Sequence, residues 1–250
     1  MPIEEGELIK IRKTEKNNRL PIIMCTWKRT EGFLKVIDQL NQQNFQDFHL
    51  YVWNNNPELS EQFQEIADVN CKFPCTMFHS KKNIGGFGRF YFARYILDKD
   101  MHHGHCIFID DDQTFEKDSL EIFLNEAKPK QISSQWAWKI KTLDYYGKAN
   151  RIEVKGGDEV DYCGTGGMVC DINIFSEDKL FECPEGYWFI EDLWLSFFAN
   201  HYHGYALKKS SAKFKNGSDQ HNLFDKIKHL KSPMLKDLVD NYGWKITFNK

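Results

Sequence analysis

The chain has 250 residues and a mass of 29.6 kDa, with 41% hydrophobic and 28% charged residues, so it can bury a sizeable core and is neither disordered nor fibrous. Its 33 basic and 36 acidic residues leave a formal net charge of -3, which supplies no general field for a polyanion and argues against nucleic acid as a partner. No apolar run reaches the roughly 20 residues that span a bilayer, and the polar start from Met1 to Arg19 lacks the apolar centre of a signal peptide. A cytoplasmic protein without a transmembrane segment is expected, and peripheral membrane association is compatible with that. The seven cysteines contain no CxxC pair and read as reduced thiols, the Cys71/Cys75 spacing being wrong for structural zinc.

In chain order, Pro21 to Cys25 is a short apolar run ending in the polar loop Thr26 to Thr30, the signature of a buried strand. Helical spacing of Phe33, Leu34, Ile37 and Leu40 predicts a helix from Glu31 to Gln43, and His49 to Trp53 predicts the next strand. Strand, helix, strand implies a right-handed parallel crossover. Asn54-Asn55-Asn56-Pro57 breaks the pattern before a polar helix near Glu58 to Ala67 and a strand at Thr76 to His79. Gly85, Gly86 and Gly88 lead into a helix carrying Phe90, Ala93, Ile96 and Leu97, and Cys106 to Ile109 is a buried strand stopped by Asp110-Asp111-Asp112. His102, His103 and His105 read as a solvated loop, and a helix is expected from Leu120 to Ala127.

The second half is more mixed, with strands expected over Ile132 to Ile140 and Gly167 to Ile174, and an amphipathic helix from Trp188 to Asn200 closed by His201 and His203. Helical patterns flank Pro233. The expected fold is a single α/β domain with a central, mostly parallel sheet. Residues 21–130 form a nucleotide-binding half, residues 131–222 a mixed acceptor-binding half, and residues 223–250 a helical tail.

Three carboxylates at the end of an apolar strand are the strongest chemical signal, because ligands in open α/β sheets bind outside the carboxyl ends of strands. Such a cluster repels itself unless a cation such as Mg²⁺ or Mn²⁺ neutralises it, with diphosphate oxygens completing the shell. In an extended segment Asp110 and Asp112 point one way and Asp111 the other. The alternative is an acidic turn opening the next helix. Gly85 and Gly86 allow backbone to approach a ligand, Arg89 adds a fixed cation, and no dinucleotide fingerprint follows. Trp136, Trp138, Tyr187 and Trp188 are candidates for stacking on a sugar, or else core residues.

Taken together these segments resemble inverting glycosyltransferases of the GT-A fold, most closely the family 2 group, over about residues 21–221. The resemblance rests on Thr26, Lys28 and Arg29 after the first strand, on Trp53-Asn54-Asn55-Asn56 after the second, and on Asn83-Ile84-Gly85-Gly86-Phe87-Gly88-Arg89 with Arg94 beyond. It continues through Asp110-Asp111-Asp112, Gly164-Thr165-Gly166-Gly167 and Glu191-Asp192.

The resemblance implies transfer of a sugar from a nucleotide-diphosphate donor, a UDP-sugar by default, to a hydroxyl of a glycan or other acceptor. It implies a donor site of Thr26, Arg29, Asn54, Asn55, Asn83, Gly85, Gly86, Arg89, Asp110 and Asp111, and Mn²⁺ or Mg²⁺ on Asp110, Asp112 and His221. Gly164, Thr165 and Gly166, with the four aromatic residues, would face the acceptor. Asp192 would be the general base, its pKa raised by partial burial, with Glu191 beside it. Two rivals remain: Asp110 to Thr114 also fits the Asp-x-Asp-x-Thr loop of haloacid-dehalogenase-like phosphatases, and a GT-A-shaped module could bind carbohydrate without turnover.

Overall fold

The computed structural model describes residues 6–12, 19–100, 102–145, 150–217 and 223–248. The first half runs β1 (Glu7–Arg12), β2 (Leu20–Thr26), α1 (Thr30–Leu40), β3 (Phe48–Asn54), α2 (Ser60–Asn70), β4 (Cys75–His79), α3 (Gly88–Lys99), β5 (His105–Asp110), β6 (Gln113–Phe115) and α4 (Ser119–Glu126). The second half runs β7 (Gln131–Ser134), β8 (Ala137–Ile140), β9 (Arg151–Ile152), β10 (Tyr162–Cys163), β11 (Met168–Asp171), α5 (Glu191–His203), β12 (Ala206–Lys209), β13 (Phe214–Asn216) and α6 (Leu223–Asp240).

Eight strands form the central sheet in the order β1-β4-β3-β2-β5-β11-β7-β12. From β4 to β5 the strands are parallel, and β1 closes one edge antiparallel to β4. The inner strands β2 to β5 are buried on both faces, which is why they read as unbroken apolar runs rather than alternating ones. On β2, Ile22 and Met24 face a layer that includes Phe33, Phe63 and Phe123, while Ile23 faces the opposite layer with Phe90, Phe108 and Trp244. That alternation is the pleat's period of two.

β11 runs antiparallel to both of its neighbours, β5 and β7. This reversal brings its leading loop, Gly164 to Gly167, to the edge where the parallel strands end, and the Gly167 amide donates to the Phe108 carbonyl at 3.0 Å. Gly167 has φ +74°, a left-handed conformation that favours glycine.

Several elements differ from the sequence expectation. The expected strand Ile132 to Ile140 is broken at Gln135-Trp136, where the Trp136 amide donates to Ser134 Oγ. β7 therefore stays in the main sheet while β8 joins β9 and β10 in a three-stranded sheet. The last residues of the expected strand Gly167 to Ile174 form a 3-10 turn, Ile172–Ser176, capped by the Asp171 side chain. Within the start read as polar, Glu7–Arg12 is a strand, since Leu8 packs on one core layer and Ile11 on the other. His102 is buried with its Nε2 against the His105 carbonyl and His105 opens β5, so of the three histidines expected in a solvated loop only His103 is exposed there. The helical tail expected over residues 223–250 contains α6, and beyond it Trp244 and Ile246 are fully buried, so the end of the described chain packs on the core. Among the described residues, no helix is long and apolar enough to cross a membrane.

Candidate active site

The parallel strands β2 and β5 end side by side, with Cys25 opposite Asp110 in register, and a cavity of about 660 Å³ opens above that edge. Its wall draws on segments far apart in the chain, among them Cys25 to Arg29, Asn83 to Arg89, Asp110 to Asp112, Gly164 to Gly166 and Glu191-Asp192, with Asn55, Trp136, Trp138, Asn216 and Lys231. Thr26, at the end of β2, is 1% exposed, and its hydroxyl has no hydrogen-bond partner among the described residues although it lines the cavity. A buried hydroxyl of this kind is costly unless a ligand satisfies it.

The acidic triplet turns instead of staying extended. Gln113 Oε1 accepts from the Asp110 amide at 3.1 Å, and the Gly217 amide donates to the Asp112 carbonyl at 2.6 Å. Asp111 and Asp112 therefore share one partner, Arg29, at 2.9 and 3.3 Å, while Asp110 meets Arg89 Nη2 at 2.9 Å. The alternation expected of an extended segment is lost because the chain bends immediately after β5. Burial pushes the Asp111 carboxyl up to about 7 against the opposing pull of Arg29. Asp110 and Asp112 are the more open members, with side chains 35% and 22% exposed.

These two carboxylates are hard oxygen donors on the cavity wall. Among the described residues, no group of three or more His, Cys, Asp or Glu is placed to hold a metal ion. Two carboxylates completed by waters and substrate oxygens are the donor set that Mg²⁺ takes, in contrast to an all-protein cage. His221 lies outside the described residues.

Arg89 is the hub of the site. Buried at 4% exposure, it donates to the Gly86 and Thr165 carbonyls at 3.2 and 3.3 Å, bonds Asp110, and lies 3.6 Å from Glu191 Oε1. Thr165 Oγ1 donates to Glu191 Oε1 at 2.9 Å. Burial raises the Glu191 pKa, Arg89 lowers it and Asp192 raises it again, leaving it above the ordinary carboxylate range. Glycines make room for this arrangement: a Cβ on Gly86 would stand 2.0 Å from the Glu191 carboxylate, and one on Gly166 2.1 Å from Asp110 Oδ2. Beside it, burial pushes the Cys25 thiol up to about 12, which disfavours the thiolate that nucleophilic chemistry needs.

Asp192, in the first turn of α5, points toward a different set of partners. Its Oδ2 accepts from Tyr162 Oη and from Lys231 Nζ, the latter at 2.6 Å, and its Oδ1 accepts from the Leu193 amide at 2.7 Å. Lys231 also donates to Tyr162 Oη at 3.1 Å. Burial disfavours the Lys231 ammonium, but Asp192 outweighs it and holds the pKa above that of a free lysine. The apolar setting expected for Asp192 is thus replaced by an ion pair. Of about four lone-pair sites on a carboxylate, three are used, which leaves one for an incoming hydroxyl.

Other expected residues fall in distinct places. Asn55, Asn83, Gly85, Trp136, Trp138 and Gly164 line the cavity. Asn54 does not: it is fully buried, its amide engaged by Asn56, Ser60 and His79. Tyr187 and Trp188 turn away through the 3-10 turn Glu185–Ile190 and pack on the core, Trp188 stacking on Phe87, while Phe189 faces the cavity instead. Arg94 anchors the turn after β11 through Asp178. Sequence reasoning missed Tyr145, Arg151, Tyr162, Phe189, Ile227 and Lys231 on the wall. The aromatic enrichment was visible, but nothing local tells a site aromatic from a core one.

No protein-family model matches the chain, and no curated protein matches it. Solved structures do. S. aureus TarS 1-349 aligns with a TM-score of 0.50 at 15% identity, covering 80% of this chain and 60% of that one. A second S. aureus TarS structure gives 0.52 at 14% identity, covering 89% and 40%. S. aureus TarS 1-349 in complex with UDP gives 0.50 at 15% identity, covering 83% and 62%. The chain thus spans less than two thirds of each of these structures. The parallel strands and crossover helices, the reversed β11 and this likeness together establish that the chain adopts the GT-A glycosyltransferase fold.

Proposed function

We propose that the protein is an inverting, family 2-like glycosyltransferase that moves a sugar from a nucleotide-diphosphate donor to a hydroxyl of a glycan or other acceptor. The observation that carries this reading is the convergence of the Arg29/Asp111/Asp112 and Arg89/Asp110/Glu191 clusters with Asp192 around one cavity at the carboxyl edge of the parallel sheet. A structural neighbour described as a UDP complex favours a UDP-sugar.

In this reading Thr26, Arg29, Asn55, Asn83 and the Gly85-Gly86 backbone hold the nucleotide, and Lys28, exposed at the same end, adds a cation for the diphosphate. Mg²⁺ or Mn²⁺, held by Asp110 and Asp112, would neutralise charge on the departing diphosphate. The acceptor hydroxyl attacks the anomeric carbon, Asp192 takes its proton, and the bond from that carbon to the diphosphate oxygen breaks. A single displacement with one base inverts the anomeric centre. Glu191, fixed by Thr165 and Arg89, keeps Arg89 aimed at Asp110 and so shapes the floor between donor and acceptor.

The phosphatase reading gains no support: Asp110, which would be its nucleophile, is held by Arg89, and at least four strands precede it where that family uses the first. Calorimetry with UDP, dTDP and GDP, each with and without Mn²⁺, followed by detection of released nucleoside diphosphate from the matching sugar donors, tests the proposal. Release of inorganic phosphate would identify a phosphatase, and carbohydrate binding without turnover a binding module.

A further inference from the structure

The cavity's charges are unevenly matched. Its five carboxylates are all paired, with Arg29, Arg89 or Lys231. Two wall cations, Lys28 and Arg151, remain without a carboxylate partner among the described residues. Lys28 follows β2 at the end assigned to the donor, exposed beside the Trp27 ring. Arg151 opens β9 in the three-stranded sheet, at the end assigned to the acceptor.

Arg151 is held in place without being neutralised. Its guanidinium carbon lies 3.9 Å from the Trp138 ring centroid and 5.1 Å from that of Tyr145, and Trp138 in turn packs on Tyr162 with centroids 4.5 Å apart. Register explains the stack. Trp138 pairs with Tyr162 and Ile140 with Arg151, so all three functional side chains emerge on one face of β10-β8-β9. Tyr162 then donates to Asp192, which links the cation to the base through two aromatic rings.

Two features of this arginine point to an anionic ligand. The Arg151 Nε is buried without a hydrogen-bond partner among the described residues, and a guanidinium is always charged, so among those residues the site has both an unsatisfied donor and an uncompensated cation. Stacking on Trp138 fixes the plane of the fork, the arrangement that suits a carboxylate or phosphate approached edge-on. It also covers the indole face, so Trp138 serves as the platform for Arg151 and not as an open surface for a sugar.

Resting on the glycosyltransferase reading and narrowing its substrate, we infer that the acceptor carries an anionic group, a carboxylate or a phosphate, bound by Arg151 close to the hydroxyl that Asp192 deprotonates. Uronic acids, sugar phosphates and polyol phosphates share that chemistry.

Saturation-transfer NMR on the UDP-loaded protein compares glucuronate and glucose 6-phosphate with glucose, in wild type and in Arg151→Gln of unchanged melting temperature. The wild type is expected to bind at least one of the two anions roughly tenfold or more tighter than glucose, as a charge-assisted hydrogen bond allows. The variant should lose that margin. The two anions separate a carboxylate site from a phosphate site. Equal binding of glucose and both anions, no binding of either anion, or an anion preference that survives in Arg151→Gln would overturn the inference. Failure of wild type to bind any nucleotide would instead overturn the donor reading, and the Arg151 comparison is then made without UDP, where anion binding in an empty donor site would be insensitive to the substitution.

Discussion

At Glu191 burial disfavours the carboxylate, while the Arg89 guanidinium 3.6 Å away and the Thr165 hydroxyl favour it. Burial prevails, so the folded protein holds this proton more tightly than the unfolded chain does. By linkage, stability falls as pH rises above the ordinary carboxylate value, and stops falling once Glu191 is ionised in the folded state as well. Glu191→Gln keeps the size and removes the titration. Its melting temperature, relative to wild type, is therefore expected to climb across that window in the ligand-free protein, and parallel curves would show that Glu191 is not the group responsible. Asp192 is expected to behave differently because the role proposed for it is chemical. Asp192→Asn should lower turnover by roughly 10² to 10⁴, the scale of general-base catalysis, with nucleotide affinity unchanged by calorimetry. Both acids were legible in the sequence as neighbours opening a helix. Their division of labour was not, since Glu191 is defined by Arg89, 102 positions earlier, and Asp192 by Lys231, 39 positions later.

Among the elements, α6 shows best how a tail enters a site. Ile227 and Lys231, one helical turn apart, both line the cavity, and Lys231 forms a 2.6 Å ion pair with Asp192 across from α5. Both side chains are largely buried, so removing one partner strands the other. Lys231→Met is expected to cost up to about 3–5 kcal/mol, and Asp192→Asn/Lys231→Met to recover much of that loss while remaining inactive. Chemical denaturation of the two single variants and the double variant reads the coupling directly, and additive losses would show that the pair is unimportant to the fold. The sequence revealed β2, β3, β4, β5 and α5 because apolar runs and helical spacing are local. It did not reveal the break between β7 and β8, because the Ser134 hydroxyl that takes the Trp136 amide also donates to Gly164, a contact formed only when β10 and β11 are in place.

For the molecule as a whole, ligand binding should register as stability. A nucleotide that binds only the folded state contributes about 2.7 kcal/mol at a hundred times its dissociation constant, which for a chain of this size is roughly a 5–10 °C rise in melting temperature. UDP with Mn²⁺ is expected to give that rise, and excess chelator or Asp112→Ala to remove most of it. An undiminished UDP shift in chelator would exclude the metal role assigned to Asp110 and Asp112. Once an acceptor is found, NMR of the product should show the anomeric configuration opposite to that of the donor, and retention would rule out Asp192 as the base of a single displacement.

The cavity wall gathers residues from Cys25 near one end of the chain to Lys231 near the other. During synthesis β2, β3, β4 and β5 can pair once the first 110 residues have emerged, but Asp192 meets Lys231 only after α6 has left the ribosome. Until then the carboxyl edge of the sheet carries five acids without the full set of cations that balances them. Under the proposed function, activity requires Lys231 to be in place, and a nascent polypeptide stalled before residue 231 is expected to be inert toward its substrates.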